Sequence, residues 1–166
     1  MEKNNLIHFN GSIFRILELR KEKVFVIDCC KRNVPKWIPI SEIQHCQITS
    51  ENKLQSLIQI PDIKNLDLRS QRIMNERYTL ISPILSVVSD FSKRNQMLSE
   101  ISLKNGICRQ TLVNYLCLYL SFQTKTILAP KHTLSGKVMT ADEKNFRWAL
   151  NKFFYTQNKN SLNTTY

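Results

Sequence analysis

The spacing of apolar residues changes near Leu68, and this change limits the fold more than any other feature of the sequence. Before it, the segments SIFRILEL (12–19) and KVFVIDCC (23–30) are rich in β-branched and aromatic residues that partly alternate with polar ones, as in strands. After it, RSQRIMNERYTLISPILSVVSDF (69–91) places apolar residues at helical spacing. We therefore predict an α+β fold, with a small N-terminal β unit followed by an all-α helix-turn-helix domain and the start of a further helical domain.

This change of spacing, together with local composition, divides the chain into four predicted segments. Residues 1–48 form a β unit of three or four strands, which is too small to be stable without packing on a neighbour. Residues 49–66 contain polar clusters and Pro61 and are predicted to be a linker. Residues 67–130 form the helix-turn-helix domain, in which Pro83 either kinks one helix or starts a second helix capped by Ser82. Residues 131–166 begin a second helical domain.

The stretch FSKRNQMLSEISLKNGICRQTLVNYLCLYLSFQ (91–123) has the layout of two helices joined by a tight turn. Ser92 is the predicted cap of the first helix, and Asn105 and Gly106 end it because both residues tolerate the left-handed backbone conformation. Small Ser102 allows the two backbones to approach closely. The predicted inner faces consist of Met97, Leu98 and Ile101 on the first helix, and of Leu112, Tyr115, Leu116 and Tyr119 or Leu120 on the second.

Polar side chains are left on the outer side of the second helix, where a recognition helix carries the residues that read base edges. Arginine pairs with guanine, and glutamine or asparagine pairs with adenine, each through two hydrogen bonds. The predicted base-reading residues are Arg109, Gln110 and Asn114. The predicted phosphate contacts are Lys93, Arg94, Lys104 and the backbone N–H of Cys108 at the helix start.

Charge supports a nucleic-acid partner. The net charge is +11, with 24 basic and 13 acidic residues. Residues 69–166 carry fourteen basic and five acidic side chains, so most of the excess falls in the half that contains the helix-turn-helix. Such a concentration attracts phosphates and releases counterions when DNA docks. Double-stranded DNA is therefore the predicted partner, and a basic surface that serves only solubility is the alternative.

Cysteine and hydropathy patterns exclude several other classes. The five cysteines show no CxxC spacing. A metal cluster of Cys29, Cys30, His45 and Cys46 is less favoured than free thiols packed as small apolar side chains. No cofactor is expected. Since the sequence has neither a long apolar run nor a signal-peptide pattern, we expect a cytoplasmic protein without a membrane partner.

Four segments together carry a resemblance to a known family: ERYTLISPIL (76–85), SEISLKNGICRQTLVNYLCLYL (99–120), ILAP (127–130) and TADEKNFRWALNKFFY (140–155). Their order after a β-rich start resembles the N-terminal DNA-binding region of TnsB-like transposases, relatives of Mu transposase and of retroviral-integrase-type enzymes. The resemblance implies a protein that binds the terminal repeats of a mobile element during DNA transposition and integration. It also implies possible self-association or binding to other transposition proteins.

In such families the strand-breaking and joining chemistry belongs to an RNase H-like domain that holds two Mg²⁺ ions through three carboxylates. None of the thirteen carboxylates here matches that triad, so no catalytic residue is assigned and this chain alone is not expected to be an enzyme. The alternative function is a stand-alone helix-turn-helix transcriptional regulator, which would usually dimerise on a palindrome. A third possibility is an interaction protein whose basic face binds another partner.

The C-terminal segment has a pattern of its own. A helix capped by Thr140 is predicted, with an apolar face made by Phe146, Ala149, Leu150 and Phe153. It either opens a second DNA-contacting domain that continues in a longer parent protein, or caps the first domain.

Overall fold

The computed structural model describes residues 2–55, 58, 60–130, 145, 146, 148, 149 and 152. The strands are β1 (Leu6–Phe9), β2 (Ser12–Leu19), β3 (Lys23–Asp28), β4 (Lys36–Pro39) and β5 (Gln47–Thr49). The helices are α1 (Ile40–Ile43), α2 (Glu51–Gln55), α3 (Leu68–Leu85), α4 (Phe91–Asn105) and α5 (Arg109–Phe122). Two short 3-10 helices cover Ile63–Asn65 and Lys125–Leu128. The α+β prediction, a small β unit followed by helices, is confirmed.

The five strands form one antiparallel sheet in the order β4-β3-β2-β1-β5. Asn10 and Gly11 join β1 to β2 with φ angles of 48° and 73°, the left-handed values that a two-residue hairpin turn needs. The sheet thus has more strands than the three or four predicted. Its two additional members, β1 and β5, are four and three residues long, too short to give a clear alternating signal.

Both faces of the sheet are covered, which explains why β2 and β3 carry apolar residues on both sides and alternate with polar ones only in part. One face contributes Ile13, Leu17, Phe25 and Ile27 to a core shared with α3, α4 and α5. The other face packs a separate cluster around Ile43 of α1. This second cluster consists of Ile7, Phe14, Ile16, Val24, Val26, Ile38 and Ile43.

Helix α3 is continuous through Pro83, which settles the two alternatives that the sequence left open. Asp67 caps its N-terminus by accepting the Ser70 N–H at 3.1 Å. Pro83 lies in the last turn and has no N–H for the Thr79 carbonyl. The Ser82 hydroxyl donates to that carbonyl instead, at 3.2 Å. The helix therefore passes Pro83 and ends two residues later at Leu85.

The predicted segments 1–48, 49–66 and 67–130 fall within a single compact unit that ends at Pro130. The predicted linker contains the end of β5, all of α2 and a 3-10 helix, so residues 49–66 belong to this compact unit and do not connect two separate domains. Leu54 of α2 and Leu66 are buried in the shared core. Burying each apolar side chain stabilises the fold by roughly 1.5–3 kcal/mol, so these two leucines anchor the segment.

Arg15 connects the sheet to the helices from a position on β2 that is 2% exposed. Its Nε donates to the Ser121 carbonyl at the end of α5, at 2.7 Å. Its Nη1 and Nη2 bind the two carboxylate oxygens of Glu51 at 2.7 and 2.9 Å. Nη1 also donates to the Asn4 carbonyl at 3.2 Å. One buried guanidinium therefore holds together β2, α2, α5 and the N-terminal segment.

The five cysteines are free thiols, as the sequence favoured, and two of them are buried. Burial raises the pKa of the Cys29 thiol to about 12, against the opposing effect of the nearby Arg15 guanidinium. Burial likewise raises the pKa of Cys117 to about 11, and Arg94 opposes that shift. Both thiols are therefore protonated in the folded protein throughout the physiological range.

We expect these two thiols to make the protein less stable as the pH rises above about 9. The unfolded chain releases the two protons near its ordinary thiol pKa of about 8.5, whereas the folded chain keeps them until about pH 11 to 12. Between these limits, urea unfolding should show that the free energy of unfolding falls by up to about 1.4 kcal/mol per pH unit for each thiol. The Cys29→Ala/Cys117→Ala variant should lose this part of the slope. If the free energy of unfolding of the variant fell with pH as steeply as that of the unmodified chain, the burial of the thiols would be contradicted.

Among the described residues, no helix has the length and apolar character needed to cross a membrane. The second compact unit comprises residues 131–166, of which residues 145, 146, 148 and 149 are helical. The predicted cap Thr140 and the predicted apolar positions Leu150 and Phe153 lie outside the described residues.

Candidate nucleic-acid interface

The first helix of the motif, α4, starts at Phe91 with Asp90 as its cap, not at the predicted Ser92. The Asp90 carboxylate accepts the Lys93 N–H at 3.0 Å, and this bond lowers the pKa of Asp90. The observed cap lies two positions before the predicted one. An ionised carboxylate also interacts favourably with the positive end of the helix dipole, which a serine hydroxyl does to a smaller degree.

The turn between α4 and α5 is built around Gly106 and Ser102. Gly106 has φ +62° and ends α4 in the left-handed conformation, as the sequence predicted. Its N–H and that of Ile107 both point to the Ser102 carbonyl, and the Ser102 hydroxyl donates to the Ile107 carbonyl at 2.7 Å. Ser102 therefore closes the turn through its hydroxyl as well as through its small size. The Asn105 side chain contributes by donating to the Ile101 carbonyl.

The second helix, α5, buries the inner face that its sequence predicted. Leu112, Leu116 and Leu120 are buried, and Tyr115 and Tyr119 are half-buried against the same core. Leu98 on α4 is buried as well, beside half-buried Met97 and Ile101. Helices α3, α4 and α5 contact one another in all three pairings. The motif is therefore a three-helix arrangement in which the apolar inner face of α5 packs on α3 and α4.

The outer side of α5 is exposed only in its first half. Gln110, Asn114, Cys117 and Ser121 follow each other at intervals of four, three and four residues, so they form one stripe along the helix. The first two are exposed, whereas Cys117 and Ser121 are 1% and 0% exposed. The C-terminal half is covered because α5 packs there on β2 and β3. A duplex can therefore reach only the first two turns of α5.

The three predicted base-reading residues are all exposed at this end of α5. The Arg109 Nη2 donates to the Asn95 side-chain oxygen of α4 at 2.8 Å. The Gln110 Nε2 donates to the Asn114 side-chain oxygen at 2.9 Å. These contacts pre-orient the three side chains while leaving further donors and acceptors for a ligand. Asn95 was not predicted, although its position one turn into α4 opposite the start of α5 is where such a partner is expected.

Three of the predicted phosphate contacts also lie at the surface. Lys93 is 70% exposed and its Nζ is 3.7 Å from an Asp90 carboxylate oxygen, and Lys104 is exposed in the last turn of α4. Cys108 is exposed at the start of α5, and among the described residues no side chain caps this helix. In contrast, α3 and α4 have aspartate caps. The start of α5 therefore has no side-chain cap among the described residues, which leaves its first N–H groups available to a phosphate.

Arg94 is placed differently from the prediction, because it is only 4% exposed. Its Nη1 donates to the Val88 carbonyl at 2.7 Å, and the ring of Phe91 lies 5.6 Å from the guanidinium carbon. Its Nε is buried without a hydrogen-bond partner among the described residues, and burial lowers its pKa. A surface phosphate contact by Arg94 is therefore corrected to a structural role. The sequence contained the signal, since Arg94 precedes the inner residue Leu98 by one turn.

The described residues contain no group of three or more cysteine, histidine or carboxylate side chains placed to hold a metal ion. A surface groove of about 670 Å³ lies along the outer side of α3 near Asn105 and is open to solvent. The exposed first half of α5 and the residues around it therefore form the candidate interface. A comparison with protein-family models and with curated proteins finds no match for this chain.

Proposed function

We propose that this chain binds double-stranded DNA and reads its sequence with the first two turns of α5. The observation that carries the proposal is the change in exposure along the outer stripe of α5, which consists of Gln110, Asn114, Cys117 and Ser121. Hydrogen-bonding side chains are exposed at its N-terminal end, and the remainder is buried on the sheet. A recognition helix uses its N-terminal residues in this way when it enters the major groove. Arg109, Gln110 and Asn114 are the readers in this proposal.

Charge and backbone geometry support the same partner. Lys93 and Lys104 are exposed at the two ends of α4 and would contact phosphates on the walls of the groove. The uncapped N-terminus of α5 would offer the backbone N–H of Cys108 or of the residues that follow it to a phosphate. The net charge of +11 favours association with any polyanion, so the sequence preference has to come from the α5 side chains.

The finer proposal is that the DNA is the end of a mobile element. It rests on the resemblance of four segments to the N-terminal region of TnsB-like transposases. In this proposal the chain positions a transposase on terminal repeats during DNA transposition and integration, and it contributes recognition and no catalysis. A stand-alone regulator would use the same helix, and the symmetry of the bound site distinguishes the two because such regulators usually dimerise on palindromes.

The test is selection of binding duplexes from a random library by the purified chain at about 0.15 M salt. We expect enrichment of one motif, and an asymmetric motif supports end recognition, whereas a palindrome supports the regulator. Arg109→Ala should cost about 1–3 kcal/mol at one base position, and Lys104→Gln should weaken all sequences alike. Arg72→Ala is the matched control, since Arg72 is an exposed arginine on α3 that already pairs with Glu76 at 2.9 Å. Binding without any enrichment would refute sequence reading by α5.

A further inference from the structure

We infer that Asn95 on α4 is a positioning residue for base reading, which holds Arg109 at the start of α5 so that its guanidinium meets a guanine in the major groove. This inference rests on the proposed function and deepens it, since it names the base that Arg109 selects and the side chain on which that selection depends. The contact that carries it is the 2.8 Å hydrogen bond from the Arg109 Nη2 to the Asn95 side-chain oxygen. The ligand of Arg109 is the O6 and N7 edge of one guanine in the duplex.

Arg109 lies on a different side of α5 from the other two readers. Successive residues of a helix are rotated by about 100°, so Arg109 shares its side with Leu112 and Leu116, which are buried. It is exposed as the first residue of the helix. Helix geometry alone therefore does not aim this long side chain at the groove that Gln110 and Asn114 face. A contact from outside α5 has to give it that direction.

Asn95 supplies such a contact from the second turn of α4. It is half-buried, and its backbone carbonyl accepts the Ser99 hydroxyl at 3.1 Å, so the residue is part of a regular and packed helix. A side chain on such an element gives the oxygen that accepts Arg109 a defined position. The bond uses one of the guanidinium N–H donors, and the donors that remain can serve both the O6 and the N7 acceptor of guanine.

Charge is the second argument for a tie at this position. Burial is the main cause that lowers the pKa of Arg94, and the positive charge of Arg109 lowers it further. The two guanidinium groups are therefore close enough to repel each other. Arg94 is fixed by its bond to the Val88 carbonyl, so the repulsion acts to turn the exposed Arg109 away from α4. The hydrogen bond to Asn95 opposes this movement and keeps Arg109 in place before DNA arrives.

Holding Arg109 in advance has a measurable effect on binding. Ordering a long side chain only when DNA docks lowers affinity by about three- to tenfold, and this loss is avoided where the side chain is already held. The loss applies to the guanine contact alone, because phosphate contacts by Lys93 and Lys104 do not depend on where Arg109 points. Asn95 therefore influences the preference among bases and leaves the salt dependence of binding unchanged.

The experiment measures base preference in three variants of the full chain. Selection with the unmodified chain and with Arg109→Ala first identifies the base pair that Arg109 contacts in the most enriched duplex. Affinity is then measured for that duplex with each base pair at this position, and with 7-deazaguanine, which lacks the N7 acceptor. Asn95→Ala removes the acceptor for Arg109, whereas Asn95→Asp keeps one. Asn75→Ala is the matched control, since Asn75 is an exposed asparagine on α3 whose backbone carbonyl also accepts a side-chain hydroxyl, that of Thr79 at 2.9 Å.

The unmodified chain should prefer guanine at this position and should bind the 7-deazaguanine duplex more weakly. Asn95→Ala should lower the preference for guanine about three- to tenfold, with an unchanged slope of log affinity against log salt. Its thermal midpoint should not fall, because alanine is the stronger helix former. Asn95→Asp should keep the preference but bind every duplex more weakly, since its carboxylate accepts from Arg109 and repels phosphates. Asn75→Ala should match the unmodified chain.

The outcomes separate this inference from the proposed function. If a motif is enriched but Asn95→Ala keeps the full preference for guanine, or if the base pair that Arg109 contacts is not selected for guanine, the inference is overturned while sequence reading by α5 stands. If Asn95→Asp loses the preference as completely as Asn95→Ala, positioning through the side-chain oxygen is overturned as well. If no motif is enriched, the proposed reading by α5 fails and this inference fails with it.

Discussion

Replacing Leu112 by Ala should lower the free energy of unfolding by about 3–4 kcal/mol, because the substitution removes buried methyl groups and leaves a cavity in a packed core. Leu112 is 0% exposed and lies on the inner face of α5, in the core shared by the helices and the sheet. Since this side chain seats the first half of α5, the variant should also lose DNA affinity. Urea unfolding followed by circular dichroism measures the first effect.

Leu103→Ala provides the matched control for Leu112→Ala. Leu103 is on α4 and is 85% exposed, so the same atoms are removed from a side chain that has little burial to lose. The expected change is within about 0.5 kcal/mol, as for most surface substitutions. Equal destabilisation by the two variants would contradict the orientation of the helices given by the structure.

The second large effect is expected for Arg15→Met, which should destabilise the protein by about 2–4 kcal/mol. Methionine keeps much of the apolar volume but donates no hydrogen bond. The buried carbonyl of Ser121 then loses the donor at 2.7 Å, and Glu51 loses its paired guanidinium. Denaturant unfolding should show the loss, and amide hydrogen exchange should be faster at the end of α5.

Glu51→Gln is the control that divides this effect between the two partners. The Glu51 side chain is 51% exposed, whereas that of Arg15 is 2% exposed. Because water reaches this side chain, it can replace much of the ion pair with Arg15 that the substitution weakens. The free energy of unfolding should therefore fall by about 1 kcal/mol or less. A larger loss for Glu51→Gln than for Arg15→Met would show that the carboxylate, and not the carbonyl contact to α5, is the main role of Arg15.

Local patterns predicted the parts of the fold that depend on local chemistry. The helical spacing of apolar residues located α3, α4 and α5. The Asn105–Gly106 pair located the end of α4, because a left-handed residue was needed there. Gln110 and Asn114 are at the surface for the same reason, since they fall opposite the apolar stripe of α5, whereas Arg109 is exposed as the first residue of the helix.

Contacts between distant segments were beyond such patterns. Arg15 alternates with Ile13 and Leu17 and therefore belongs to the buried face of β2, but its partner Ser121 is 106 residues away. The polar composition of residues 49–66 suggested a linker, although Leu54 and Leu66 anchor it in the core. Arg94 was judged by its charge alone, while its helical position places it inside. In each case tertiary packing outweighed the local signal.

The covering of one sheet face by α5 has a consequence for synthesis of the chain. The strands are complete once Thr49 has left the ribosome, yet the apolar side chains of Leu17, Phe25 and Ile27 stay uncovered until α5 has followed. Over that interval the nascent sheet presents a hydrophobic surface that chaperones would bind and that favours aggregation. Expressing the strands and the helices as two separate proteins would make this passing exposure permanent in both.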